Sequence, residues 1–140
     1  MSTNKKAPKL PLTINEKIQL KKARITLAKI ATFSPIDLAR LIHSSIDRCA
    51  QLIALSQFQT LISVGPSLAQ DLYDLGFCDL KSLKKANPHK MFEELSALRG
   101  TAIDPCVEDV FRCAVEQMKN PNLSKELKQW WYWSNQRNEG

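Results

Sequence analysis

Apolar positions in this chain recur at three- and four-residue spacing, and the pattern is broken by capping residues, prolines and glycines. It predicts helices from end to end. The first is expected from Thr13 or Asn15 to about Ala31, with Ile14, Ile18, Ala23, Ile25, Leu27, Ala28 and Ile30 on an uneven apolar side. Ser34-Pro35 starts the next, a capping serine before a first-turn proline. That helix runs to about Ile42 and buries Ile36, Leu38, Ala39, Leu41 and Ile42. His43-Ser44-Ser45 reads as a turn, with Ser45 or Ser44 capping the helix after it. A helix from Ile46 to Leu55 follows it, with Ile46, Cys49, Ala50, Ile53 and Ala54 inward, then a short helix over 56–62. Another is expected from Ser67 to Leu75, closed by Gly76 with Phe77 behind it. Asp79 opens a helix to about Ala86. Asn87-Pro88 opens one to about Leu98, closed by Gly100, and Asp104-Pro105 one to about Lys119. Pro121 and Ser124 set up a last short helix bearing Trp130, Trp131, Tyr132 and Trp133. No stretch alternates as paired strands do. The expected fold is all-α, a compact bundle of about seven to eight short helices.

Composition adds class and compartment. A chain of 140 residues with 44% apolar and 24% charged positions suits one globular domain. Residues 1–12, with Pro8 and Pro11 among lysines, read as a disordered basic arm, and 13–140 as a single helical domain. No apolar run is long enough for a membrane span, and no signal-peptide pattern follows the basic start, so no membrane role and a cytoplasmic location are expected. Residues 1–30 hold eight basic side chains against Glu16 alone, whereas the rest carries 12 basic and 13 acidic ones. Such a basic start meets nucleic acid or merely aids solubility. Cys49, Cys78, Cys106 and Cys113 form no C-x-x-C pair. Cys106 and Cys113, seven apart on one helix, lie roughly 10 Å apart along it, too far for a disulfide. Reduced, packed thiols are expected, with no metal and no cofactor.

One short stretch, LISVGPSLAQDLYDLGF over residues 61–77, raises a chemical question. Its Val-Gly-Pro-Ser turn joins two apolar helical segments at a sharp angle. One residue must accept a positive φ or close backbone packing, a role expected of Gly65. Pro66 costs nothing in a first turn, where its missing N–H is not needed. The free amides of Ser67 and Leu68 would then form a small anion site, aided by the helix dipole. A DNA phosphate fits such a site, and the contact would read backbone rather than base sequence.

Residues 61–77 resemble the helix-hairpin-helix motif. Val64, Gly65, Ala69 and Leu72 match its pattern. Ser63 stands at the first glycine, and Ser67 where many DNA-binding versions place lysine. The resemblance implies a SAM-like arrangement of two tandem units, at about 34–55 and 57–77. The first has His43-Ser44-Ser45 in its turn, without glycine, and reads as a structural copy. Together with DLKSL, DPCVEDVFRCAV and the terminal WWYW, the stretch is similar to the bacterial "pathogenicity locus" family, some members of which are labelled mitomycin resistance proteins. Asp104, Cys106, Phe111, Arg112, Trp130, Trp131 and Trp133 match that family's elements, over about residues 34–133. The resemblance implies a DNA-associated role through the hairpin.

Other candidates carry paired readings. Lys81, Lys84 and Lys85, with His89 and Lys90, could extend a phosphate track beside Gly65 or form a solvated face. The Trp-rich tail could stack bases, but consecutive aromatics on a helix cannot all face one way, so it reads chiefly as a cap on the core. Asp104 and Arg112 invite a catalytic reading, but Asp104 reads more simply as a helix cap and Arg112 as a residue that pairs with a carboxylate or caps carbonyls inside the fold. No nucleophile–base set, P-loop or paired carboxylate is evident. The expected function is therefore non-enzymatic, sequence-independent DNA binding as an accessory protein. The alternative is a protein–protein adaptor in which the hairpins are structural only.

Overall fold

In a computed structural model of the chain, which describes residues 7–122, 129 and 131–134, the helical pattern is realised as six α-helices and two 3-10 helices, with no strand among the described residues. They pack as a compact bundle around a central helix, α3.

α1 spans Ile14–Lys22 and starts with a reciprocal cap: Glu16 N–H donates to Thr13 Oγ1 at 3.0 Å, and Thr13 N–H donates to Glu16 Oε1 at 2.9 Å. The helix expected to reach Ala31 ends here. Arg24 adopts the left-handed conformation (φ 59°), the Ile25 amide reaches Leu20 O at 3.0 Å, and the Arg24 amide reaches Lys21 O at 3.1 Å. A straight helix would scatter Ile25, Leu27 and Ile30 around its circumference. The break instead sends the chain into a 3-10 helix, Leu27–Thr32, whose Ile30 is fully buried.

α2, Pro35–Ile42, starts at the predicted Ser34 cap, and His43 closes it with φ 55°. α3 runs from Ile46 to Phe58, capped by Ser45. The separate short helix expected over 56–62 does not form. Ser56 is buried inside α3, where its hydroxyl donates to Leu52 O at 2.8 Å, so it neither caps nor breaks the helix.

α4, Pro66–Asp74, ends as predicted: Gly76 takes φ 99° and the Phe77 amide returns to Leu72 O. The helix expected over 79–86 is reduced to a 3-10 turn, Lys81–Leu83. There Asp79 Oδ1 accepts from the Ser82 amide while Ser82 Oγ donates to Asp79 O. These local bonds close one tight turn, and Asn87, which precedes Pro88, resists the α conformation. α5, Pro88–Arg99, starts at Asn87 and stops at Gly100 (φ 70°). α6 is Cys106–Lys119.

Two apolar clusters form the core. One joins Leu20, Ile30, Leu38, Ile42, Cys49, Leu52 and Ile53 from α1, the first 3-10 helix, α2 and α3. The other joins the end of α3 to α4, α5 and α6 through residues such as Phe58, Leu72, Leu95 and Phe111. α3 contributes to both, and each fully buried large apolar side chain is worth about 1.5–3 kcal/mol.

Residues 7–12 correct the reading of a free arm. Pro8 is buried, Leu10 packs against both clusters, and Gln59 at the end of α3 clasps Lys9 through two bonds. Lys9 N–H donates to Gln59 Oε1 at 3.0 Å, and Gln59 Nε2 donates to Lys9 O at 2.9 Å. Arg48 Nη2 holds Pro11 O at 2.6 Å. Within this proline-bearing segment the Leu12 amide donates to Leu10 O at 2.9 Å, and the segment takes further partners from Arg48 and Gln59. Residues 1–6 lie outside the described residues.

Candidate functional site

The conformation of the α3–α4 connection departs from expectation at its centre. The left-handed residue is Ser63 (φ 73°), not Gly65, which is extended at φ −92°, ψ −171°. A Cβ placed on Gly65 meets no atom within 4 Å. Neither backbone strain nor packing demands glycine there. What glycine does is leave the helix start bare, since no side chain caps α4.

The first intrahelical bond of α4 runs from Ala69 N–H to Gly65 O at 2.9 Å. Pro66 has no N–H. The amides of Ser67 and Leu68 therefore stand ahead of the helix's own bonding pattern, at its positive end. Pro66 and Ser67 are exposed. Both line a cleft of about 370 Å³, together with Lys9, Gln59 and Gln70. The clasp on Lys9 thus sets a basic residue in the wall of the cleft that α4 opens onto.

Behind the connection, α6 supplies the support. Gln117 accepts from the Ile62 amide and donates to the Ile62 carbonyl, each at 2.9 Å. The side chains of Ser63 and Cys113 share a hydrogen bond, and burial pushes the Cys113 thiol up to about 11. Gln117 and Gln59 were not singled out from sequence. For Gln117 the signal was present: it continues the buried Val110–Cys113–Ala114 stripe of α6 at helical spacing, a polar residue in an apolar row.

The other candidates separate. Lys81, Lys84 and Lys85 are exposed but do not line the cleft. They follow the far end of α4, and the turn that carries Lys81 packs against α6. His89 is engaged with carboxylates, Nδ1 lying 3.0 Å from Glu108 Oε1 and Nε2 3.3 Å from Glu93 Oε1. Asp104 Oδ1 accepts from the Cys106 amide at 2.9 Å, at the start of α6. Arg112 pairs with Glu108 at 3.3 Å, and Phe111 is core. Cys106 is half-buried. Trp131 is 44% exposed, Trp133 stands edge-on to Tyr132 with centroids 5.1 Å apart, and Trp130 lies outside the described residues. A carboxylate that the sequence reading passed over, Asp109, is fully buried in the first turn of α6.

Among the described residues no group of three or more His, Cys, Asp or Glu side chains is placed to hold a metal ion. No helix there is long and apolar enough to cross a membrane.

Fold and site together define a small all-α protein whose α3–α4 connection is braced by α6 and whose α4 start lines a cleft shared with Lys9. The chain belongs to the pathogenicity locus family (Cdd1), whose profile matches residues 51–139. That match begins inside α3, so α1 and α2 precede it. The chain is also similar to a mitomycin resistance protein, McrB, of Streptomyces lavendulae: 29% identical over 82 residues, covering 59% of this chain and 74% of that one. No solved structure matches.

Proposed function

We propose that the protein is a non-enzymatic accessory factor that grips DNA by its backbone, with α3, the 59–65 connection and α4 acting as a helix-hairpin-helix unit. The uncapped start of α4 carries this reading. Two main-chain donors, Ser67 and Leu68, sit at a helix N-terminus, and Ser67 lines a cleft of phosphate-accommodating size that has Lys9 in its wall. Nothing in such a contact distinguishes bases, so binding is sequence-independent and weakens as salt displaces the lysine contribution. Lys81, Lys84 and Lys85 act, on this reading, as a second and separate basic patch.

The test is fluorescence anisotropy with duplex, single-stranded and branched DNA at two salt concentrations, on the full chain and on a form lacking residues 1–6. Residues 7–12 must be kept because they are packed into the fold. Affinity for random duplex that steepens at low salt and survives removal of residues 1–6 supports the reading. Affinity that vanishes with residues 1–6 assigns binding to the tail and removes the hairpin from it.

A second reading, a protein–protein adaptor, has its own support. Ile14 (78% exposed), Ile18, Ile36, Leu41 and Ile46 are exposed on α1, α2 and the start of α3, ahead of the stretch the family profile covers. Isolated exposed apolar residues are ordinary, but five on three successive α-helices are candidates for a contact surface. Sedimentation of wild type against Ile14→Glu/Ile18→Glu tests whether that surface self-associates.

A further inference from the structure

We infer that Gln117, distant in sequence and on a different helix, is the positioning residue of the α3–α4 connection: its amide clamps the Ile62 peptide and thereby holds Ser63 left-handed and aims the start of α4. The inference deepens the DNA reading above and rests on it for its functional half.

The geometry is specific. A carboxamide presents one acceptor and one donor side by side, as a peptide does. Gln117 uses both on a single residue, taking the Ile62 N–H on Oε1 and giving Nε2–H to the Ile62 carbonyl. Its Nε2 also lies 3.3 Å from Cys113 O, one turn back on α6, which fixes the side chain's own rotamer. The next residue, Ser63, is the one non-helical strain point of the connection, at φ 73°. A non-glycine residue is strained in that conformation and persists only where its surroundings hold it. Two residues on lies Gly65, and then the uncovered amides. If Ile62 is released, Ser63 can relax toward negative φ, and the direction in which α4 leaves the turn changes with it.

Glycine at 63 would make the clamp unnecessary, because glycine accepts positive φ freely. The experiment is a double-mutant cycle of Gln117→Leu and Ser63→Gly in the full chain, read by duplex DNA affinity and by denaturant unfolding. Gln117→Leu is expected to weaken DNA binding ~10-fold, the scale of two modest hydrogen bonds. Ser63→Gly alone is expected to stay within about 2-fold of wild type, and the double variant to recover to a similar level. Gln117→Leu binding DNA like wild type, or a double variant as weak as Gln117→Leu, overturns the inference. If wild type itself binds no DNA, the functional reading fails and unfolding alone decides: Ser63→Gly must stabilise the Gln117→Leu background more than it stabilises wild type, and equal increments overturn the inference. Should Gln117→Leu not fold, Gln117→Glu takes its place in the same cycle, since it keeps the acceptor for the Ile62 amide and loses the donor to its carbonyl.

Discussion

Arg48 holds Glu16 in a fork, with Nε 2.8 Å from Oε2 and Nη2 2.9 Å from Oε1. The same guanidinium reaches Pro11 O and Gln51 Oε1, so one side chain on α3 secures α1 and the segment before it. Glu16 is almost wholly buried, and the Arg48 hydrogen bond holds its carboxyl below the ordinary 4.5.

Arg48→Ala should therefore cost about 2 kcal/mol or more, because it strands a buried carboxylate rather than deleting a surface pair. Urea unfolding at neutral pH measures this. The wild-type pair also sets an acid limit. A depressed folded-state pKa means that the stabilisation is present above 4.5 and is lost as pH falls through the lower folded value. The difference between wild type and Glu16→Gln should shrink steadily below pH 4.5. A constant difference down to pH 3 would show that the carboxylate is not stabilised in the fold.

Gly65→Asp should leave the fold intact. Aspartate is a favoured N-cap, and the space around Gly65 admits a Cβ. Its carboxylate would bond the Ser67 and Leu68 amides and repel a phosphate. Circular dichroism should be unchanged or show a slightly higher melting temperature, while duplex affinity falls ~10-fold or more. Unaltered affinity would clear the start of α4 of any part in binding.

His89 ties the start of α5 to Glu108 on α6, and that bond raises its pKa above the usual 6.5. A raised value makes the tie fully present below 6.5 and lost as pH climbs through the folded-state value. A proton NMR titration should place the His89 midpoint above 6.5 and move it down in Glu108→Gln. A midpoint indifferent to that substitution removes Glu108 as the cause.

The thiols should differ sharply. Cys78 is exposed, Cys49 is buried with its pKa raised by burial, and Cys113 is held at about 11. The thiolate is the reactive form. Alkylation of native protein at pH 8, mapped by mass spectrometry, should mark Cys78 first and reach Cys49 and Cys113 only on unfolding.

Helix starts and stops were legible wherever the signal is local. Ser34-Pro35, Ser45, Asn87-Pro88, Gly76 and Gly100 all act where the residues say, because each satisfies a backbone group within a few positions of itself. The start of α4 at Pro66 was legible too, but not the extended conformation of Gly65 before it. Three further features were not legible. Arg24 and Ser63 take left-handed conformations that their residue types do not announce. Ser56 passes as a helix breaker until its burial against Leu52 is seen. Residues 7–12 look like tail until Gln59 and Arg48 are found beside them.

By itself, then, the order of residues determined a helical bundle and a helix start at Gly65-Pro66, since propensity and start signals are properties of neighbours along the chain. Tertiary structure alone decided which residue bears the strain of the turn, which lysine stands near it and which glutamine holds it. Those outcomes depend on partners about fifty positions away, brought close only when the two apolar clusters close around α3.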